Sequence, residues 1–101
     1  MDIRKAISGD VGACVDMVEA RRRQYEAYEP RFWKKAAHSA AATDPWFTQL
    51  FADAANVSLV AVEDEIVVGF LIARGLPVPP VYDPGGPAAL IDDFCVLSES
   101  R

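Results

Sequence analysis

The chain has 101 residues, 51% of them apolar and 25% charged, with a formal net charge of −5. That length holds one small domain around a single core, and the composition is that of a soluble globular chain rather than a disordered one. The acidic balance argues against a nucleic-acid groove or an anionic membrane surface as partner, because both need a basic footprint, and it suits a cationic or amine-bearing ligand.

In chain order, residues 3–7 read as a short first strand, and Ser8, Gly9 and Asp10 as the turn and N-cap that open a helix. Val11, Cys14, Val15 and Val18 recur at i, i+3, i+4 and i+7, which is one buried helical stripe. The helix runs on through Arg21, Arg22, Arg23, Gln24 and Tyr25 and ends by Glu29, since Pro30 disfavours a helical residue before it. The Arg21 to Arg23 run reads as a solvated helix face. Residues 30–37 are expected to form a short second helix starting at Pro30, where the missing N–H does no harm. A third helix is expected to open at Asp44 and Pro45, to present Trp46, Phe47, Leu50, Phe51 and Ala54 on one face, and to stop at Asn56. His38 falls in the connector between them and reads as an exposed loop residue.

Residues 57–63 and 66–74 are two runs rich in β-branched residues, separated by Asp64 and Glu65, the spacing of a tight hairpin. Residues 75–87 carry five of the seven prolines and read as a long surface loop of the kind that tends to be functional or mobile. A last apolar strand follows from Leu90 to Val96. Under strict alternation Leu90, Asp92, Phe94 and Val96 share one face of it, and Ile91, Asp93, Cys95 and Leu97 the other.

Cys14 and Cys95 are far apart, form no CxxC pattern and share the chain with one histidine, so neither a disulfide scaffold nor a metal site is expected. No window approaches the roughly 18 apolar residues of a membrane span. A cytoplasmic protein is the plain expectation.

Three stretches resemble the GNAT superfamily of N-acetyltransferases. The first is the opening strand, turn and Asp10-led helix. The second is the pair of strands around Val60, Ala61, Val62, Glu63, Asp64, Glu65, Ile66, Val67, Val68, Gly69 and Phe70, where Gly69 stands at a position typical of the returning strand. The third and most specific is Asp92, Asp93, Phe94, Cys95 and Val96, led in by Tyr82, Asp83, Pro84, Gly85, Gly86 and Pro87, which is similar to the family's fourth strand. The resemblance covers essentially all of the chain. It implies an α/β (α+β) fold of order β-α-α-α-β-β-β with a mainly antiparallel sheet, residues 1–101 forming a single, truncated GNAT-like domain. The family's Gly-rich pyrophosphate loop and everything after it have no counterpart in the sequence.

The implied activity is acetyl-CoA-dependent transfer of an acetyl group to an amine on a small molecule or a protein, with catalysis needing the missing half. Amine acetylation needs a proton acceptor, polarisation of the thioester carbonyl and protonation of the leaving thiolate. Adjacent strand residues point to opposite faces, so Asp92 and Asp93 cannot share a proton as a dyad. A carboxylate in an apolar setting makes a better base, and by resemblance Asp92 is the candidate general base, with Asp93 second. Each has an equally open structural reading, as a loop cap or as the partner of an arginine such as Arg74. The resemblance assigns the pantetheine arm of acetyl-CoA to the main chain of Phe94, Cys95, Val96 and Leu97. It also places Tyr25, Tyr28 and Trp33, beside Phe32, on the acceptor side, against the reading of these rings as core or interface residues.

The terminal strand offers an unpaired edge, so a homodimer or a second polypeptide is expected to dock there. The competing function is a non-catalytic oligomerising or ligand-binding module derived from the same fold.

Overall fold

The computed structural model describes residues 1–76, 81, 83, 85 and 88–97, with the side chains of Leu76, Ala88, Ala89 and Asp92 outside that description. Strand β1, Asp2–Lys5, leads through a 3-10 turn, Ser8–Asp10, into helix α1, Val11–Tyr28. Asp10 occupies the N-cap position, yet its carboxylate reaches back instead of capping the helix. It accepts both guanidinium nitrogens of Arg4, at 2.8 and 2.9 Å, and the Ile7 backbone N–H at 2.8 Å. The Arg4 hydrogen bond holds the Asp10 carboxyl below the usual carboxylate range, against the upward push of its burial. Strand and helix are thereby tied at the point where the chain changes direction.

Helix α2, Ser39–Ala52, begins well before the expected Asp44 and carries Pro45 inside it. Ala40, Ala41 and Ala42 are the strongest helix formers, and they nucleate the first turn despite a cost of about 3 kcal/mol for an interior proline. The turn is also anchored from outside: Thr43 Oγ1 donates to the Ser39 carbonyl and accepts from Arg22, both at 2.7 Å. Thr43, Phe47 and Phe51, spaced four apart, are the buried stripe of this helix. Trp46 turns away from it and is half exposed.

The short helix expected over residues 30–37 does not form, so the order is β-α-α-β-β-β. The Lys35 N–H is taken by the Glu26 carboxylate rather than by a carbonyl one turn back, and the Lys35 ammonium is drawn to Glu19. These tertiary bonds hold the segment as a series of turns.

Strands β2 (Asn56–Glu63), β3 (Ile66–Leu76) and β4 (Ala88–Val96) complete a four-stranded antiparallel sheet of order β1-β2-β3-β4. Asp64 and Glu65 both have positive φ, 52° and 65°, as a two-residue hairpin matched to strand twist requires. Gly75 and Leu76 belong to β3, paired with Ala89 and Ala88, so the expected loop is shorter at that end. Much of the rest of it, residues 77–80, 82, 84, 86 and 87, lies outside the described residues.

Both helices pack on one sheet face. Val11, Cys14, Val15 and Val18, the stripe expected from the sequence, are buried with Met17 against Val60, Phe70, Ile72 and Cys95, and Phe47 meets Phe70 edge-on at 5.6 Å. On the opposite face Ile3, Leu59, Ala61, Leu71, Phe94 and Val96 border a shallow apolar depression of about 170 Å³ around Gly69. Among the described residues no helix is long and apolar enough to cross a membrane.

Candidate functional site

The register of β3 against β4 slips between Ile72 and Ala73: Ile72 faces Asp93, while Ala73 faces Ile91. Asp92 is therefore the extra residue of a β-bulge, outside the regular ladder. The alternation expected from the sequence is broken there. Ile91, paired with Ala73, falls on the face of Leu71 and Phe94, away from Asp93 and Cys95.

Asp93 points toward the helices. Arg21 of α1 donates through Nη2 to Asp93 Oδ1 at 2.8 Å and through Nη1 to the Phe94 carbonyl at 2.9 Å. The same Oδ1 accepts the Phe94 N–H at 2.9 Å. Burial pulls the Arg21 guanidinium down, but the hydrogen bond and charge of Asp93 outweigh it and the net shift is upward. Beside this clasp, Cys95 Sγ lies 3.9 Å from the Met17 carbonyl, and the Leu97 N–H donates inward to the Val68 carbonyl at 2.9 Å. Within the described sheet β4 is a terminal strand, with β3 as its one strand neighbour.

Arg21 also borders a cavity of about 510 Å³ between α1, the 32–36 segment and α2. Its rings form a continuous wall: Tyr25 and Trp33 are 5.2 Å apart, and Phe32 meets Trp33 edge-on at 4.8 Å. Below it, Glu19 gathers three partners. Oε1 accepts from Arg22 at 2.8 Å and from Ser39 Oγ at 2.7 Å, and Oε2 accepts from Lys35 Nζ at 2.8 Å. Burial pushes the Glu19 carboxyl up, but the bonds from Lys35, Ser39 and Arg22 outweigh it and hold the group down at about 2.

No family model matches the sequence, and no curated protein matches it. Solved structures do. The BH1408 protein of Bacillus halodurans, as a tetramutant, aligns with 100% of the chain at a TM-score of 0.80 and 16% identity, the chain covering 65% of it. A ribosomal-protein-alanine N-acetyltransferase from Brucella melitensis aligns with 99% of the chain at 0.61 and 25% identity, with 59% of its own length covered. A predicted acetyltransferase from Clostridium acetobutylicum, solved with acetyl-CoA, aligns with 99% at 0.67 and 19% identity, with 62% covered. The chain has a GNAT-like fold.

In this GNAT-like chain the residues singled out from the sequence are only partly brought together. Asp92 is placed by its backbone at the bulge, while its side chain lies outside the described residues. Asp93 is held by Arg21. Phe94 turns its ring to the open sheet face, Cys95 is buried in the core, and Val96 and Leu97 are half-buried. Tyr25 and Trp33 border the cavity; Tyr28, 87% exposed, does not. His38 stands exposed at the N-cap of α2 with a φ of 61°.

Glu19 and Lys35 were missed, and Arg21 and Arg22 were read as part of a solvated helix face. The stripe carried the signal for Arg22, which lies four residues beyond Val18 and so continues onto the α2 side. Arg21 and Arg22 are partly buried and ion-paired, which corrects their reading as a solvated face.

Proposed function

We infer that the chain is part of an acetyl-CoA-dependent N-acetyltransferase that acetylates an amine held between α1 and α2. The observation that carries this reading is the bulged strand β4, tied by Arg21 to the α1–α2 cavity in a fold shared with solved acetyltransferases. Acetyl-CoA, when bound, supplies an acetyl thioester whose C–S bond is exchanged for a C–N bond, the proton lost by the amine ending on the released thiol.

The residues present fit that group in one region. A pantetheine arm carries amides, and amides pair with a strand edge as a peptide would. The main chain of Phe94, Cys95, Val96 and Leu97 is the stretch that would hold it, though the Phe94 carbonyl and N–H are bonded to Arg21 and Asp93. Arg21 fixes the position of this strand relative to the cavity. Asp92 is the proposed proton acceptor, at the bulge; Asp93 is second, because its Oδ1 already accepts two hydrogen bonds.

Free Cys14 and Cys95 suit a cytoplasmic location. The outer sheet face and the β4 edge form one continuous surface that a second copy of the chain would cover. The test is calorimetric titration with acetyl-CoA. Saturable heat at micromolar cofactor supports the transferase, and none at millimolar cofactor favours a non-catalytic module.

A further inference from the structure

The cavity between α1 and α2 has a charge that runs against the rest of the chain. The protein carries −5, yet the cavity is bordered by Arg21, Arg22, Lys34 and Lys35 and by no carboxylate among the described residues. Arg21 is matched by Asp93. Of the others, Arg22 and Lys35 share Glu19, and Glu26 accepts the Lys35 backbone N–H, so three cations face two carboxylates.

Donors are also left over. A guanidinium has five N–H groups and an ammonium three. Arg22 gives two of its own, to Glu19 and Thr43, and Lys35 gives one to Glu19. Lys34 is exposed.

The wall opposite in character is aromatic, and its rings are incompletely covered: Tyr25 is 44% and Trp33 46% exposed. The volume of about 510 Å³ lies within the range of about 300–1,000 Å³ usual for small-molecule sites. Rings for a flat apolar body and surplus cations for an anionic group make a two-part recognition surface.

We propose that this cavity binds an aromatic amine that also carries a carboxylate, with the ring against Tyr25 and Trp33 and the carboxylate against Lys34, Lys35 and Arg22. As an acceptor assignment it rests on the transferase reading, which supplies the amine, while the rings and the cations bordering the cavity supply the aromatic body and the carboxylate. Binding itself needs no cofactor.

The test uses Trp33 fluorescence in a Trp46→Phe background and three probes: L-phenylalanine, 3-phenylpropionate and phenethylamine. A charge-assisted hydrogen bond contributes about 1.5 kcal/mol or more, so the two carboxylates are expected to bind about tenfold tighter than phenethylamine. Lys34→Glu, at a position outside the Glu19 network, is expected to remove most of that preference while circular dichroism stays unchanged. Raising the salt concentration is expected to weaken the carboxylates and not to weaken phenethylamine, whose ammonium is repelled by the same cations. Equal or tighter binding of phenethylamine overturns the proposal, as does the absence of saturable binding by all three probes across the millimolar range. Acetyl-CoA binding without a carboxylate preference defeats this ligand class and leaves the transferase standing; the preference without acetyl-CoA binding upholds the ligand class and favours the non-catalytic module.

Discussion

Arg21 and Asp93, separated by 72 residues in the chain, meet at 2.8 Å, and the other terminal nitrogen of the same guanidinium binds the carbonyl of Phe94. This is a direct polar tie between the first helix and the terminal strand. Both side chains are partly buried, at 25% and 16% exposure, so the pair is less screened than a surface ion pair. Arg21→Ala is expected to destabilise the chain by about 1–3 kcal/mol, since Asp93 loses its charged partner in a partly desolvated place. Arg21→Lys keeps the charge but not the fork and is expected to fall between. Urea denaturation checks both, and an unchanged midpoint for Arg21→Ala would show the clasp to be solvated and idle.

Glu19 sets an acid limit. Its carboxyl is held at about 2 in the folded chain, against about 4.3 for an unperturbed glutamate. Above the unfolded value both states are deprotonated and the full stabilisation is present, while between the two values the unfolded state binds more protons than the folded one. The stabilisation is lost as pH falls from about 4 toward 2. Asp10, also held low by Arg4, adds a loss of the same sign. Glu19→Gln is expected to lower the urea midpoint at pH 6 and to flatten its decline between pH 5 and 3. An equally steep decline in the variant would assign the acid sensitivity elsewhere.

Elements whose cause is local were legible in the sequence. The stripe from Val11 to Val18 follows from its period, and the hairpin follows from two β-branched runs around Asp64 and Glu65. Gly69 was marked by resemblance, and its physical reason is spatial: a Cβ there would stand 3.1 Å from the Cys95 carbonyl oxygen, where β4 passes close. Features with a distant cause were not legible. Pro30 favours a helix start, but Glu19 and Glu26 pull Lys35 out of one. Pro45 looked like a first-turn residue because three alanines upstream could not be weighed against the hydroxyl bonds that anchor them. The bulge at Asp92 leaves no mark in an alternating pattern, so Ile91 was put on the wrong face. Arg21 looked solvated because its partner lies across the fold.

Cys14 offers a check on the core. It is fully buried, and burial pushes its thiol up to about 12. The thiolate is the reacting species, so labelling by an aromatic disulfide at pH 8 is expected to wait for opening of the α1–sheet interface. Its rate should rise with urea in step with global unfolding. Labelling of Cys14 within seconds in native buffer would mean that α1 lifts from the sheet far more readily than its packing implies.

The outer sheet face decides how the chain behaves in isolation. Ile3, Ile91 and Phe94 are 63%, 62% and 58% exposed and stand on one surface with Leu71 and Val96. Burying a side chain of this size contributes about 1.5–3 kcal/mol, and β4 offers a strand edge beside it. The chain alone is expected to self-associate at tens of micromolar in equilibrium sedimentation. Phe94→Glu places a charge in the middle of that surface and is expected to weaken association about tenfold or more, the ratio that about 1.4 kcal/mol represents. The core on the helix side should be unaffected, because the Phe94 ring points away from it. A wild-type chain that sediments as a monomer throughout would mean that this apolar face stays solvated, and a Phe94→Glu chain that associates as before would move the contact to another surface.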